Sequence, residues 1–205
     1  MHKEILSKSQ VELLTLLKQF LREYYLVGGT AIALYIGHRR SIDFDLFKYS
    51  TIKHSGNLKK ISSFKYPYQI TRRVTEQMNL TINEVKVTFY QYPYKIDAQS
   101  RFEDIFRMPE LVDLAAMKAY ALGRRSKWKD YVDLYFIIKN YFSISQISNR
   151  ANELFDQMFS EKLFRAQLSY FKDIDYSEPV EYLSTNVSEQ EIKEFLIDKA
   201  IDIGI

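Results

Sequence analysis

The chain has 205 residues, a formal net charge of +3 and no cysteine. This length can bury a sizeable core, either as one domain or as a catalytic half with a helical extension. The lack of cysteine excludes disulfides and thiolate metal sites, and the three histidines do not have zinc-ligand spacing. Charged residues interrupt every apolar stretch before it reaches membrane length, and residues 1–8 are unlike a signal peptide. We therefore expect a cytoplasmic protein without a membrane partner.

The first predicted elements are a helix and a short strand. Ser9 and Glu12 have the spacing of a capping box, which predicts a helix that begins there and continues to about Tyr24. The apolar pair Leu26 and Val27 follows as a short strand. These elements lead directly into a pair of glycines.

Gly28 and Gly29 let the backbone turn sharply and approach a ligand without a Cβ in the way. Thr30 then begins a predicted helix, and a helix N-terminus offers free amides and a favourable dipole to a phosphate. A glycine pair alone is typical of ordinary turns. The phosphate interpretation therefore depends on the residues that follow.

Two carboxylates follow this helix, one residue apart. Asp43 and Asp45 lie in a run with strand alternation, so their side chains are predicted to share one face. Ile42, Phe44 and Leu46 alternate with them and are predicted to anchor the strand in a core. Because Mg2+ takes oxygen ligands and completes its shell with water and substrate phosphates, two carboxylates suffice to begin a site. The pattern predicts a site for a nucleoside triphosphate and its magnesium.

Arg39 and Ser41, which lie just before the acidic strand, each have two interpretations. Arg39 either contacts the substrate or belongs to a solvated charge cluster. Ser41 either contacts the substrate or forms a local hydrogen bond. His38 is predicted to be structural.

Residues 66–92 alternate in the manner of strands, with Pro67 and Asn79 as predicted breaks. The last of these strands is predicted over 84–92, with valines and a phenylalanine on the core face and Thr88 on the other. We interpret the clustered tyrosines of this region as packing and sheet surface.

The second half of the chain is predicted to be helical. Pro109 precedes a helix that carries Lys118, and residues 127–140 form the next one. Lys118 either contacts phosphate or extends outward from a core helix. Asp130 and Asp133 share one face of the second helix, and which of them points inward stays open.

Basic residues cluster around a predicted helix break at Gly123. Their stretch contains no acidic residue and either holds phosphates or forms a solvated turn. Trp128 and Tyr131 beside it could stack on bases. Further helices are predicted over 144–170 and after a cap at Ser188. The basic residues of the stretch are Lys118, Arg124, Arg125, Lys127 and Lys129.

Two separated blocks of residues carry a resemblance to a known family. The first block is Gly28-Gly29-Thr30 followed by His38-Arg39-x-Ser41-x-Asp43-x-Asp45, with Phe47 behind it. The second block runs from Glu110 to Leu122 and continues through Arg124-Arg125 to Lys129-Asp130-Tyr131-Val132-Asp133. Together with the segment 168–173, these blocks resemble the AbiEii/AbiGii toxin group of the polymerase-beta-like nucleotidyltransferase superfamily. The resemblance spans nearly the whole chain.

The resemblance implies an α/β (α+β) fold, with a mixed sheet flanked by helices and a helical C-terminal region. It implies a catalytic core over 1–105 and a helical region over 106–205 that carries the lysine and aspartate motifs. The implied activity is transfer of a nucleotide from a nucleoside triphosphate to a hydroxyl acceptor, with the 3′ end of a transfer RNA as the expected acceptor. The implied biological role is the toxin of a type IV toxin-antitoxin or abortive-infection system, with a cognate antitoxin encoded nearby.

The resemblance also implies a role for each motif. Asp43 and Asp45 would bind Mg2+ and act in catalysis, together with Lys118 near the nucleotide. Asp130 would orient Lys118 or an acceptor. The residues expected to bind the nucleotide are Gly28, Gly29, Thr30, Arg39, Ser41 and Lys118.

One departure from the superfamily pattern concerns the metal. Many members bring a third metal-binding carboxylate from a neighbouring strand, where this chain has Thr88. Either two acids suffice with substrate oxygens, or Asp97 or Asp130 substitutes, or metal binding is weakened. Two alternatives to transfer onto RNA stay open: transfer onto a partner protein by the same fold, and a non-catalytic nucleotide-binding module in which Thr88 reflects lost metal affinity.

Overall fold

The computed structural model describes residues 1–122 and 124–202, so the predicted helix break at Gly123 lies outside the described residues. The chain divides into two compact units, Met1–Glu110 and Leu111–Ile205. The first unit extends past residue 105 because the short hairpin of residues 100–108 belongs to it.

The first unit contains seven strands and three α-helices. The helices are α1 (Lys8–Leu17), α2 (Gly28–Ile36) and α3 (His54–Ser62), and short 3₁₀ turns cover Lys3–Ile5 and Lys18–Phe20. The strands are β1 (Tyr25–Val27), β2 (Asp43–Lys48), β3 (Tyr68–Val74), β4 (Gln77–Ile82), β5 (Val85–Gln91), β6 (Ser100–Phe102) and β7 (Phe106–Met108).

Five of these strands form one mixed sheet in the order β1-β2-β5-β4-β3, which confirms the predicted fold class. β2 and β5 run parallel, whereas the other neighbours are antiparallel. Asn83 and Glu84 connect β4 to β5 and both have positive φ, as a type I′ hairpin turn requires. Glu84 therefore lies in a turn and not in the strand, and Asn79 lies within β4, so the predicted break there is wrong.

The first helix begins two residues earlier than predicted. Ser7 is its N-cap, and the Ser7 hydroxyl and the Gln10 side chain form the reciprocal hydrogen bonds of a capping box. The predicted box at Ser9 is wrong because Ser7 has the same spacing to an amide side chain, and Gln10 fills that role. The α-helix ends at Leu17, well before Tyr24.

The core of the first unit lies on one face of the sheet. Phe44 and Leu46 of β2 are 0% and 1% exposed, as their alternation with the acids predicts. Ile42 precedes the strand and is 51% exposed, so its predicted core role is wrong. Phe44, between the two aspartates, and Leu46, after them, therefore anchor β2 in the core.

The second unit contains five α-helices in its described residues, and the long segment 169–188 between the last two of them is not helical. Tyr120 stacks on Phe155 at 4.2 Å between ring centroids, and Tyr135 meets Phe195 edge-on at 5.0 Å. In the described parts of both units, none of the helices is long and apolar enough to cross a membrane. The helices of this unit are α4 (Leu111–Leu122), α5 (Trp128–Asn140), α6 (Ile144–Phe155), α7 (Glu161–Leu168) and α8 (Glu189–Ile201).

Candidate functional site

The glycine turn joins β1 to α2, and Gly28 is already the first residue of that helix. Gly28 has φ of +73°, a conformation that glycine adopts without steric cost. The predicted helix start at Thr30 is therefore two residues late. Val27, the N-cap, is extended and offers no side-chain cap, so the first amides of α2 are not covered by a capping side chain.

The glycine turn lies directly against the acidic strand. A Cβ on Gly28 would overlap Oδ2 of Asp45 and lie 3.2 Å from its Cγ. A Cβ on Gly29 would lie 2.5 Å from Nη2 of Arg39 and 3.2 Å from Oγ of Ser41. A side chain on Gly28 would therefore displace the Asp45 carboxylate, and one on Gly29 would displace the end of Arg39 and crowd Ser41.

Thr30 ties the start of the helix to the same strand. Its hydroxyl donates to Oγ of Ser41 at 2.9 Å and also contacts the carbonyl oxygen of Asp43. Thr30 is 1% exposed, so this hydroxyl serves to hold the turn in place. The structure thus brings together every residue that the first sequence block predicts for the site: Gly28, Gly29, Thr30, Arg39, Ser41, Asp43 and Asp45.

Arg39 is buried beneath this turn. The residue is 2% exposed, and its Nη1 donates to the carbonyl oxygen of Arg40 at 3.0 Å. The interpretation of Arg39 as part of a solvated cluster is therefore wrong. His38 is 1% exposed, in keeping with the structural role predicted for it.

The strand next to the acids supplies neutral and basic neighbours. Thr88 of β5 is the register partner of Asp45, and Lys86 is that of Asp43. The position predicted for a third acid is therefore adjacent to the acid pair and holds a threonine. Within residues 1–122 and 124–202, no group of three or more His, Asp or Glu side chains is placed to hold a metal ion. The two aspartates are half-buried on one face of β2.

In the second unit, Lys118 on α4 is buried between two carboxylates of α5. Its Nζ lies 2.7 Å from Oδ1 of Asp130 and 2.9 Å from Oδ2 of Asp133. Lys118 is 5% exposed, so the alternative in which it extends outward is wrong. Both aspartates point inward, which answers the question that helical spacing left open.

Asp130 has a second cationic partner. Arg125 donates from Nε to its Oδ2 at 2.8 Å and from Nη2 to its Oδ1 at 3.2 Å. Burial opposes ionisation of Asp130, but the charges of Lys118 and Arg125 outweigh burial and lower the pKa of its carboxyl. Asp130 is therefore a carboxylate at neutral pH.

Two lysines of the basic stretch, Lys127 and Lys129, share a carboxylate that sequence reasoning missed. Glu178 accepts from Lys127 at 2.5 Å and lies 3.0 Å from Nζ of Lys129. The hydrogen bond from Lys127 is the main cause that lowers the pKa of Glu178 to about 2. Glu178 reaches the lysines because the backbone of Asp175 is hydrogen-bonded to residues 126 and 128. No local pattern signals a contact across fifty residues of chain.

The two aromatic residues beside this stretch are buried. Trp128 is 7% exposed and Tyr131 is fully buried, and their rings stack on each other at 6.2 Å. Tyr176 packs against Trp128 at 5.5 Å. The prediction that Trp128 and Tyr131 stack on bases is therefore wrong, because protein rings already cover them.

One curated protein is similar to this chain in sequence. An uncharacterized protein of Aquifex aeolicus (strain VF5) is 30% identical over 127 residues, which cover 58% of this chain and 59% of that protein. The chain thus spans less than two thirds of the length of this curated relative.

Solved structures resemble the chain at low sequence identity. MenT4, a nucleotidyltransferase toxin from Mycobacterium tuberculosis H37Rv, has a TM-score of 0.63 at 12% identity, covering 94% of this chain and 82% of MenT4. JHP933 from Helicobacter pylori has a TM-score of 0.58 at 19% identity, covering 95% of this chain and 91% of JHP933. At these identities the likeness shows the fold.

The family model described as nucleotidyl transferase AbiEii toxin, type IV TA system, matches residues 62–202. This range includes Lys118 and Asp130 and begins after the acidic strand. Because the match covers more than half of the chain, the chain belongs to the AbiEii nucleotidyltransferase toxin family.

Proposed function

We propose that this protein transfers a nucleotide from a nucleoside triphosphate to a hydroxyl acceptor. Membership of the AbiEii family supports this class of reaction. The observation that carries the proposal is the contact between Gly28 and Asp45, in which a turn suited to phosphate lies against a strand suited to a metal.

The donor set fits a divalent cation. Asp43 and Asp45 share a half-buried face of β2, and the Asp45 carboxylate fills the space that the missing Cβ of Gly28 leaves. In our proposal these two aspartates hold Mg2+, which would neutralise charge on the triphosphate during transfer.

Other residues of the first unit have supporting roles in the proposal. The backbone amides at the start of α2, from Gly28 to Thr30, bind phosphate oxygens. Arg39, buried beside Gly29, places a positive charge next to that turn, and Ser41 holds the turn through Thr30. Lys118 and Asp130 stay proposed catalytic residues on the basis of their sequence motif.

The proposed acceptor is the 3′ end of a transfer RNA, and the proposed role is that of a cytoplasmic toxin with a cognate antitoxin. The family description, which names a type IV TA system, supports the toxin role and the antitoxin. The domain proposal keeps a catalytic core in the first half and a helical region in the second.

The test is incubation of the protein with labelled nucleoside triphosphates, Mg2+ and total RNA. We expect label in RNA with the wild type and loss of at least about 100-fold in rate for Asp43→Ala with Asp45→Ala, since both proposed metal ligands are removed. Asp104→Ala is the matched control, because Asp104 is exposed and pairs with Lys18. Undiminished transfer by the double variant contradicts the proposal, and label in a protein changes the acceptor from RNA to protein.

Thr88 favours a second candidate, a nucleotide-binding module with weak metal affinity, because it places a neutral side chain beside Asp45. Calorimetry with Mg2+ and each triphosphate separates the two candidates. Nucleotide binding with the same affinity with and without Mg2+ supports the nucleotide-binding module, whereas binding that requires Mg2+ supports the nucleotidyltransferase. Thr88→Asp should tighten Mg2+ binding by about tenfold through a third carboxylate, and Thr88→Asn, which adds no charge, should not.

A further inference from the structure

The face of the sheet that carries the two aspartates continues into aromatic side chains. Phe47 follows Asp45 by two residues on β2 and therefore shares its face. Tyr90 of β5 is the register partner of Phe47, just as Thr88 is that of Asp45. Phe47 and Tyr90 are both half-buried, so part of each ring is accessible. We name this pair of side chains the aromatic platform.

Neighbouring rings hold the aromatic platform in place. Phe47 and Tyr90 have ring centroids 5.0 Å apart at 67°, and Tyr92 lies 5.2 Å from Phe47. Tyr92 is 7% exposed and itself contacts Tyr94 at 5.4 Å. Tyr92 is buried and serves to pack the neighbouring rings. Phe47 and Tyr90 are less buried, so packing alone does not explain why large aromatic side chains stand at these two positions.

The position of the aromatic platform suits the base of a nucleotide. Phe47 lies two positions after Asp45 on the strand, a distance of about 6.6 Å between their Cα atoms. A ligand whose phosphates lie at the aspartates can therefore place its base over these rings. Gln77 of β4 is the register partner of Tyr90 and puts an amide side chain at the edge of the platform.

We propose that the aromatic platform, Phe47 with Tyr90, binds a nucleobase by stacking. The base belongs either to the triphosphate or to the acceptor RNA, since both carry the same chemistry. Aromatic side chains stack on every base, so the platform contributes affinity with little base preference. This inference rests on the proposed function.

The experiment measures binding of the full chain to each nucleoside triphosphate and to inorganic tripolyphosphate, in Mg2+. We expect Phe47→Leu and Tyr90→Leu each to weaken nucleoside triphosphate binding about tenfold, because a stacking ring is lost. Tripolyphosphate binding should not change, because that ligand has no base. Tyr90→Phe keeps the ring and should bind as the wild type does.

Tyr68→Leu is the matched control, since Tyr68 is an exposed ring on β3 at the far edge of the same sheet. A thermal unfolding transition like that of the wild type is the check that each variant is folded. If triphosphate binding is unchanged but the KM for RNA rises about tenfold in Phe47→Leu, the base is that of the acceptor.

Two results would overturn the inference while leaving the proposed function intact. One is unchanged binding of triphosphate and unchanged KM for RNA in both leucine variants. The other is an equal loss of triphosphate and tripolyphosphate binding, which would indicate damage to the phosphate site. A wild-type protein that binds neither ligand overturns the proposed function itself, and the inference with it.

Discussion

Gly28 combines a left-handed backbone, with φ of +73°, and a carboxylate that lies where its Cβ would be. Gly28→Ala should therefore cost about 1–2 kcal/mol in backbone strain and also displace Asp45. We expect nucleotide binding in Mg2+ to weaken by at least about tenfold, because the displaced carboxylate is a proposed metal ligand. Calorimetry measures nucleotide binding in Mg2+, and urea denaturation measures the loss in the free energy of unfolding.

Gly37 provides a control with the same backbone strain. It has φ of +66°, and a Cβ there would lie 2.5 Å from Nδ1 of His2, a residue outside the proposed site. Gly37→Ala should lose similar stability and keep nucleotide binding. Equal weakening of nucleotide binding by both alanines would show that strain, and not the Asp45 contact, explains the effect.

At the scale of elements, the start of α1 depends on Ser7. Ser7→Ala removes the side-chain acceptor of the Gln10 amide and should lower the free energy of unfolding by about 1 kcal/mol. Ser9 lies inside the helix, so Ser9→Ala should change stability little or raise it slightly. Chemical denaturation of both variants decides between the two caps, and a larger loss for Ser9→Ala would contradict the assignment.

Helices α4 and α5 are joined by the buried contact of Lys118 with Asp130 and Asp133. Lys118→Met should destabilise the protein by about 3–5 kcal/mol, because two buried carboxylates lose their shared cation. Lys139→Met is the control, since Lys139 forms an exposed pair with Glu191 and should cost under about 1 kcal/mol. Similar losses in the two variants would argue against a special role for the buried contact.

The same contact predicts a pH dependence. The pKa of Asp130 is lowered in the folded protein. Its ion pairs therefore make their full contribution to the free energy of unfolding at any pH above about 3.9, the pKa of an aspartate in the unfolded chain. That contribution is lost as the pH falls through the folded pKa. The difference in free energy of unfolding between wild type and Asp130→Asn should thus be constant near neutral pH and shrink below about pH 4. A difference that grows as the pH falls would contradict this assignment.

At the scale of the whole molecule, the net charge of +3 does not show which basic residues are paired with carboxylates. Glu178 pairs with Lys127 and Lys129, and Asp130 pairs with Lys118 and Arg125, so four of the five basic residues of this stretch have a carboxylate partner. Glu178→Gln should strengthen binding to single-stranded RNA and steepen its salt dependence by about 0.7 in log–log slope for each released lysine.

Glu194→Gln makes the same change in net charge without releasing a lysine, since Glu194 accepts a hydrogen bond from Gln190. It should leave the salt dependence of RNA binding almost unchanged. Filter binding over a salt series measures both slopes. An equal increase in the two variants would indicate that net charge, and not the release of lysines, controls RNA binding.

Sequence patterns predicted features that depend on neighbouring residues. The alternation around Asp43 and Asp45 placed both on one face, and the helical periodicity placed Asp130 and Asp133 together. Predictions failed where the outcome depended on a boundary or on burial. Ile42 is exposed because the strand begins one residue after it.

The sequence by itself predicted the glycine turn before a helix, the shared face of the two acids and the resemblance to the AbiEii family, because these depend on residue type and local period. It missed α3 and the β6–β7 hairpin. Only the tertiary structure decided that Asp45 lies against Gly28 and beside Thr88, and that Glu178 pairs with Lys127 and Lys129. Those contacts join residues between 17 and about fifty positions apart, and the packing of the folded chain, not local pattern, brings them together.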